Sequence, residues 1–153
     1  MNISTISELK QELLKRFGEK DFVSFYFGID SFHYDFKTHS ITVEVVHFAN
    51  PNLIYQFVFP GVHSYKLMRE EYIEFYDDEK WEGASFYGIS NHSRFEDFCF
   101  KDSLFAVQYL EVMDKSRSSI KTHRIAGQND FLDVLTDEEP LISIIDHSAD
   151  IVD

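Results

Sequence analysis

The start of the chain has the hydrophobic repeat of a helix. Its apolar residues are spaced by three or four positions, as on one helix face, at Ile6, Leu9, Leu13, Leu14 and Phe17. Ser4 or Thr5 precedes this run as a capping residue, and Gly18 follows it as a stop signal. We predict an amphipathic helix of about three turns that packs on a sheet with its charged face toward water. A partner-binding helix is the alternative for the same pattern.

From Asp21 onward the hydrophobic period changes to two, which is the period of a strand. Apolar and polar residues alternate from position 32 to position 45, with a break at Thr38 and His39. This predicts a hairpin in which position 36 faces 41, position 34 faces 43 and position 32 faces 45. The other face of the hairpin is polar and pairs Asp35 with Thr42 and His33 with Glu44.

The following segments extend the predicted sheet. A strand over positions 53–59 places Tyr55, Phe57 and Phe59 beside Val45, Val43 and Ile41, so that one apolar face is continuous. Further strands are predicted over positions 63–69, 71–76, 84–89 and 104–113, and a docked apolar piece over 141–145. Positions 120–126 and 131–135 are predicted to form a last hairpin. For 130–135 a short helix is the alternative, and for 93–99 the pattern leaves helix and turn open.

These elements predict a single α+β domain that is mainly antiparallel β, in which the N-terminal helix packs on a curved or sandwich-like sheet. We expect the domain to span positions 1–145 and to be followed by an acidic, flexible end at 146–153. The 16 Phe and 8 Tyr residues supply large apolar areas with a strong preference for strands.

The charge of the chain limits its partners. The formal net charge is -13 over 153 residues, and no lysine or arginine follows Arg124. Such negative potential repels nucleic-acid phosphates and anionic membrane surfaces, and it speeds encounter with basic proteins. No apolar stretch has the length of a signal peptide or a membrane span, and a single cysteine rules out an internal disulfide framework. We therefore expect a cytoplasmic protein that binds neither nucleic acid nor membrane.

Candidate chemistry is sparse. His33, Asp35 and Glu44 share one predicted sheet face and offer three metal ligands, but the chain has no spacing typical of a known zinc motif. Cys99 stands between two phenylalanines, which favours core packing over thiolate chemistry. Nucleophile motifs and glycine-rich phosphate loops are absent. We expect a non-enzymatic protein without a cofactor; the alternatives are a small metal-dependent hydrolase that uses this His/Asp/Glu set and a structural or oligomeric subunit.

The remaining feature is acidity concentrated around aromatic residues. An electrostatically steered protein interface is the functional interpretation, with Trp81 or a tyrosine as anchor and carboxylates that meet Arg or Lys of the partner. A variant of this interpretation is a nucleic-acid mimic, and the simplest alternative is solvated surface. The predicted interaction surface comprises Glu70, Glu71, Tyr72, Glu74, Asp77, Asp78, Glu79, Trp81, Glu82, Asp137, Glu138 and Glu139.

The order of features resembles small bacterial domains of the toxin-immunity kind and related β-rich domains. The resemblance is carried by positions 57–62 leading to Tyr65, by 88–93, by 122–125, and by 131–135 followed by Glu139 and Pro140. It implies a cytoplasmic inhibitor that covers the active site of a basic toxin, often a nuclease. It implies no individual contact residues.

Overall fold

One α-helix and ten β-strands form the parts of the chain that the computed structural model describes, which are residues 2–21, 26–69, 81–90 and 120–148. The helix α1 spans Ile6–Asp21. The strands are β1 (Asn2–Ile3), β2 (Phe27–Asp35), β3 (Ser40–His47), β4 (Asn50–Phe59), β5 (Ser64–Arg69), β6 (Trp81–Ala84), β7 (Tyr87–Ser90), β8 (Lys121–Ala126), β9 (Asp130–Thr136) and β10 (Leu141–Asp146).

The start of α1 is capped by two side chains. The Glu8 backbone N–H donates to Thr5 Oγ1 at 3.1 Å, and the Ser4 backbone N–H donates to Glu8 Oε2 at 2.9 Å. The first bond satisfies an amide donor that a helix leaves free at its N-terminus, and the second ties the residue before the cap to the first turn. The predicted stop at Gly18 is a kink with φ 74° and ψ 170°, after which the helix resumes as far as Asp21.

The apolar face of α1 enters the core, as the spacing predicts. Leu9 and Leu13 are fully buried. Phe17 stacks on the His47 ring, with 4.2 Å between centroids, and meets the edge of Phe27 at 5.6 Å. Burying aliphatic and aromatic side chains in this way stabilises the docked helix by roughly 1.5–3 kcal/mol for each fully buried side chain.

Two antiparallel sheets face each other across the core. Sheet A has the order β1-β10-β4-β3-β2, and sheet B has the order β5-β9-β8-β7-β6. Rings from the two inner faces meet, with 5.0 Å between the centroids of Phe57 and Tyr87 and 4.6 Å between those of Phe27 and Phe86. The Gln128 backbone N–H also donates to Phe27 O at 2.8 Å and joins the sheets at one corner. The predicted α+β, mainly antiparallel and sandwich-like architecture is therefore confirmed.

Several predicted strands have the expected register. Tyr55, Phe57 and Phe59 lie opposite Val45, Val43 and Ile41. All six side chains are fully buried, as the continuous apolar face requires. β8 and β9 form the predicted last hairpin, so positions 130–135 are strand and the helical alternative is wrong. The docked piece is β10, which lies between β1 and β4.

The predicted register of the hairpin between β2 and β3 is wrong by two residues. Phe32 faces Val43 and Tyr34 faces Ile41, because the turn takes up four residues and His39 within it has a positive φ of 51°. A shift of two residues keeps each side chain on its predicted face. Phe36, however, falls outside the sheet, and 80% of its surface is exposed instead of packing on Ile41.

Some predictions lie outside the described residues. They are the strands over 71–76 and 104–113, the helix or turn over 93–99, and the packing of Cys99. Within the described part of the chain, no helix has the length and apolar character needed to cross a membrane.

Candidate functional site

A cleft of about 520 Å³ lies between the N-terminus of α1 and one end of sheet B. We call it the helix–sheet cleft. It brings together side chains from five separate parts of the chain, so no single sequence motif encodes it. The lining residues are Ser4, Thr5, Ile6 and Ser7 at the start of α1, Trp81 and Glu82 of β6, Ile89 of β7, Lys121 of β8, and Glu139 from the connection between β9 and β10.

Trp81 lines this cleft and also a second cleft of about 370 Å³, whose lining includes Arg124 and Phe131. In the strand register its side chain shares one face of sheet B with Arg124, whereas Glu82 and Ile89 belong to the opposite face. Trp81 begins β6, where it lies opposite Ser90. The Arg124 guanidinium carbon lies 4.8 Å from the centroid of the Trp81 ring, a cation–π distance. Gly88 leaves room for the ring, since a Cβ at that position would lie 3.3 Å from Trp81 Cε3. Trp81 is therefore held against sheet B.

Arg124 is itself held by a carboxylate in the next strand. Its Nε donates to Asp133 Oδ1 at 2.6 Å and its Nη2 donates to Asp133 Oδ2 at 2.8 Å. The two residues are opposite each other in β8 and β9 and are only 5% and 1% exposed. A two-bond contact of this kind fixes both position and orientation of the guanidinium. The support beneath Trp81 is therefore rigid.

The carboxylates of the cleft are Glu82 and Glu139, and both side chains are exposed. Burial raises the pKa of the nearby Tyr87 hydroxyl, and the negative charges of Glu139 and Glu82 raise it further. Lys121 contributes one cation to the same lining. The charged side chains of the cleft thus leave it with net negative charge at neutral pH.

Behind the cleft, Tyr87 and His123 form a buried pair. The Tyr87 hydroxyl and His123 Nδ1 are hydrogen bonded at 2.8 Å, and the two residues are 1% and 3% exposed. Burial lowers the pKa of His123 to about 4, and the neighbouring Lys121 lowers it in the same direction. Both groups are therefore neutral at neutral pH, and the pair belongs to the core between the sheets.

The predicted acidic interaction surface is divided by the fold. Of the residues after β9, Glu139 lines the helix–sheet cleft, whereas Asp137 and Glu138 face the Pro60–His63 segment. His63 Nε2 lies 3.7 Å from Asp137 Oδ1, and the Glu138 carboxylate occupies the space beside Gly61 that a side chain there would need. The remaining predicted members lie outside the described residues: Glu70, Glu71, Tyr72, Glu74, Asp77, Asp78 and Glu79.

The three residues offered as metal ligands do not converge. Glu44 lies opposite Ser31 and accepts a hydrogen bond from its hydroxyl at 2.8 Å, while His33 lies opposite Thr42. The Asp35 carboxylate accepts a hydrogen bond from the Lys37 backbone N–H at 2.8 Å. Among the described residues no three His, Cys, Asp or Glu side chains are grouped to hold a metal ion. The predicted pairing of His33 with Glu44 is therefore wrong, because of the same two-residue shift that exposes Phe36.

Sequence reasoning missed the α1 residues and Lys121 as parts of the site. Their contribution depends on how the helix end docks against sheet B, and no local pattern reports that contact. The alternation of β8 does place Arg124 on the opposite face from Ile125 and His123, and a charged residue in such a strand is a usable signal for a buried pair.

Comparison of the chain with protein families, with curated proteins and with solved structures finds no match. The protein is therefore described here by its fold, an N-terminal helix with two five-stranded antiparallel sheets.

Proposed function

We propose that this protein is a non-enzymatic, acidic protein-binding domain whose helix–sheet cleft receives a basic partner. One observation carries the proposal: Glu82 and Glu139, which are distant in sequence, line the same cavity as the only tryptophan of the chain. Interfaces are enriched in such aromatic anchors, and complementary charge sets their specificity and rate of association.

The arrangement suits an Arg or Lys side chain of the partner. Its charge is placed between the two carboxylates, and its aliphatic stem packs on the apolar part of the lining, which includes Ile6 and Ile89 as well as Trp81. Because Arg124 already orients the Trp81 ring, little side-chain freedom is lost when the partner docks. The net charge of -13 adds long-range attraction that falls with ionic strength.

The resemblance to toxin-immunity domains supports a more specific form of the proposal. In that form the partner is a basic toxin or effector, and the acidic domain neutralises it by covering its active site. The charge of the chain and the acidic cleft agree with this role.

The test is affinity capture at low and raised salt, followed by calorimetric titration with the purified partner. Glu82→Lys, Glu139→Lys and Asp146→Lys make the same charge change at exposed carboxylates, but Asp146 lies at the end of β10, outside the cleft. We expect each cleft variant to weaken binding at least ~10-fold, or about 1.4 kcal/mol. We expect the Asp146 variant to weaken it less than ~3-fold through long-range charge alone.

If all three variants weakened partner binding equally, binding would depend on the net charge of the protein and not on the cleft. A partner bound equally well in high salt, or one that is acidic, would contradict the proposal as a whole.

A further inference from the structure

Strand β6 forms an edge of sheet B beside the helix–sheet cleft. Among the described strands it pairs with β7 alone. A two-residue turn joins these strands, so Ala84 and Tyr87, the pair that closes the turn, exchange both backbone hydrogen bonds. The next pair is Gly83 and Gly88, and the N–H and C=O of Gly83 therefore point away from β7. Gly83 is exposed, so this edge presents a donor and an acceptor to an added strand.

The two faces of β6 open into different clefts. On the inner face, Glu82 lines the helix–sheet cleft together with Glu139. On the outer face, Trp81 and Gly83 line the second cleft of about 370 Å³, which we call the outer cleft. The other lining residues of the outer cleft include Phe86, Ala126 and Phe131. A single edge strand thus borders an acidic cleft on one side and an apolar cleft on the other.

The charges of the two clefts differ because only one of them is balanced within the protein. Among the described residues, neither Glu82 nor Glu139 has a cationic side chain within 4.0 Å. In the outer cleft, the charge of Arg124 is balanced by the two-bond contact with Asp133. The helix–sheet cleft therefore favours a cation, whereas the outer cleft favours a neutral apolar group.

An extended peptide paired antiparallel with β6 would contact both clefts, because successive side chains of a strand point to opposite faces. The peptide residue opposite Gly83 exchanges two backbone hydrogen bonds with it and directs its side chain to the outer face. Space is open there, since a Cβ at position 83 would lie 2.7 Å from Tyr87 O and only glycine fits. The next peptide residue lies opposite Glu82 and faces the helix–sheet cleft. The third lies opposite Trp81 and faces outward again.

We propose that the helix–sheet cleft receives an extended segment of the partner that adds to sheet B at β6 and carries one basic residue between two large apolar residues. This inference rests on the proposed function, because the basic residue is the one that meets Glu82 and Glu139. The backbone hydrogen bonds hold the segment, and the alternating side chains select it. A uniformly basic segment lacks the apolar side chains that the outer cleft requires.

Short synthetic peptides test the alternating pattern. The signal is the fluorescence of Trp81, the single tryptophan of the chain, which lines both clefts. The probe is acetyl-Ser-Phe-Lys-Phe-Ser-amide, and the matched control is acetyl-Ser-Phe-Phe-Lys-Ser-amide, which has the same composition and charge. We expect the control to bind at least ~10-fold more weakly, because in every register it loses an apolar contact or the contact of Lys with the carboxylates.

N-methylation tests the strand pairing itself. The first Phe of the probe faces Gly83, so a methyl group on its backbone nitrogen removes a hydrogen bond and is expected to weaken binding at least ~10-fold. The backbone N–H of Lys points away from β6, and its methylation is the matched control, expected to change binding less than ~3-fold. Binding is also expected to slow hydrogen exchange of the Gly83 amide and to leave that of Gly88, which lies between β6 and β8, unchanged.

Equal binding of the two peptides, or equal effects of the two N-methyl groups, would overturn strand addition. If Glu82→Lys then still weakened both peptides at least ~10-fold, the proposed function would stand, because a basic group would occupy the cleft without pairing to β6. Peptide binding that both Glu82→Lys and Glu139→Lys leave unchanged would overturn strand addition and the proposed function together. Absence of probe binding up to ~1 mM would overturn strand addition alone, since the salt-dependent capture of the whole partner tests the proposed function separately.

Discussion

The buried pair of Arg124 and Asp133 provides the sharpest test of how the site is supported. Asp133→Ala removes the carboxylate that accepts two hydrogen bonds from Arg124, at 2.6 Å and 2.8 Å. The guanidinium then stays in a place where only 5% of the residue is exposed. Removing one partner of a buried ion pair destabilises the folded state far more than the pair itself stabilises it.

The magnitude follows from this burial. Breaking a buried pair by removing one partner costs about 3–5 kcal/mol, which is a large share of the roughly 5–15 kcal/mol that holds a domain folded. Replacing both partners by apolar residues, in Arg124→Met with Asp133→Leu, removes the charge and the need for a counter-ion together. We expect this double variant to lie within about 1 kcal/mol of the wild type.

Urea unfolding measures the free energies of unfolding of the single and the double variant. Circular dichroism follows the sheets, and fluorescence follows the site. The chain has one tryptophan, and its ring lies over Arg124, so the fluorescence signal comes from the site under test. The double-mutant cycle separates the coupling of the pair from the effect of each single change.

A loss below about 1 kcal/mol for Asp133→Ala would refute the reasoning, because it would mean that water or other groups solvate the guanidinium. A double variant that is as unstable as the single one would point to lost packing instead of the broken ion pair.

The remaining predictions concern the core, a turn and the helix cap. Burial holds the pKa of His123 at about 4, below its ordinary 6.5, so the unfolded chain takes up this proton first and stability falls as pH drops from 6.5 to 4. Urea unfolding at pH 7 and at pH 4.5 is expected to show that the free energy of unfolding falls less for His123→Gln than for the wild type, by up to about 2.4 kcal/mol. Gly61→Ala is expected to destabilise by about 1–2 kcal/mol in thermal unfolding, because its φ of +59° is unfavourable for a residue with a Cβ, and a loss below about 0.5 kcal/mol would contradict this. Gly18→Ala is expected to lose at least as much, because φ 74° with ψ 170° is a region that essentially only glycine adopts. Thr5→Ala is expected to cost about 1 kcal/mol and Thr5→Ser almost nothing, because a hydroxyl suffices to accept the Glu8 N–H; equal losses for the two would exclude the cap.

Much of the sandwich could be predicted because alternation leaves one acceptable register where one face is buried. In β4, any shift by one residue would turn Tyr55, Phe57 and Phe59 away from the core. The same holds for the helix, whose apolar face has a single way to dock. Turn chemistry was less informative: a four-residue turn moved the β2–β3 register by two, which the hydrophobic pattern tolerates because both registers keep the same face.

For the candidate site, less could be predicted from the sequence. The acidity of the chain and the presence of a single tryptophan follow from residue types alone. The meeting of Glu82 with Glu139, the separation of Glu139 from Asp137 and Glu138, and the support of Trp81 by Arg124 depend on how the helix end and two strand connections dock. Residue types determine the sign of the electrostatic potential and the hydrophobic period of each helix and strand, because those properties are local. Which carboxylates share one cleft depends on contacts between distant parts of the chain, and only the packed sheets determine those contacts.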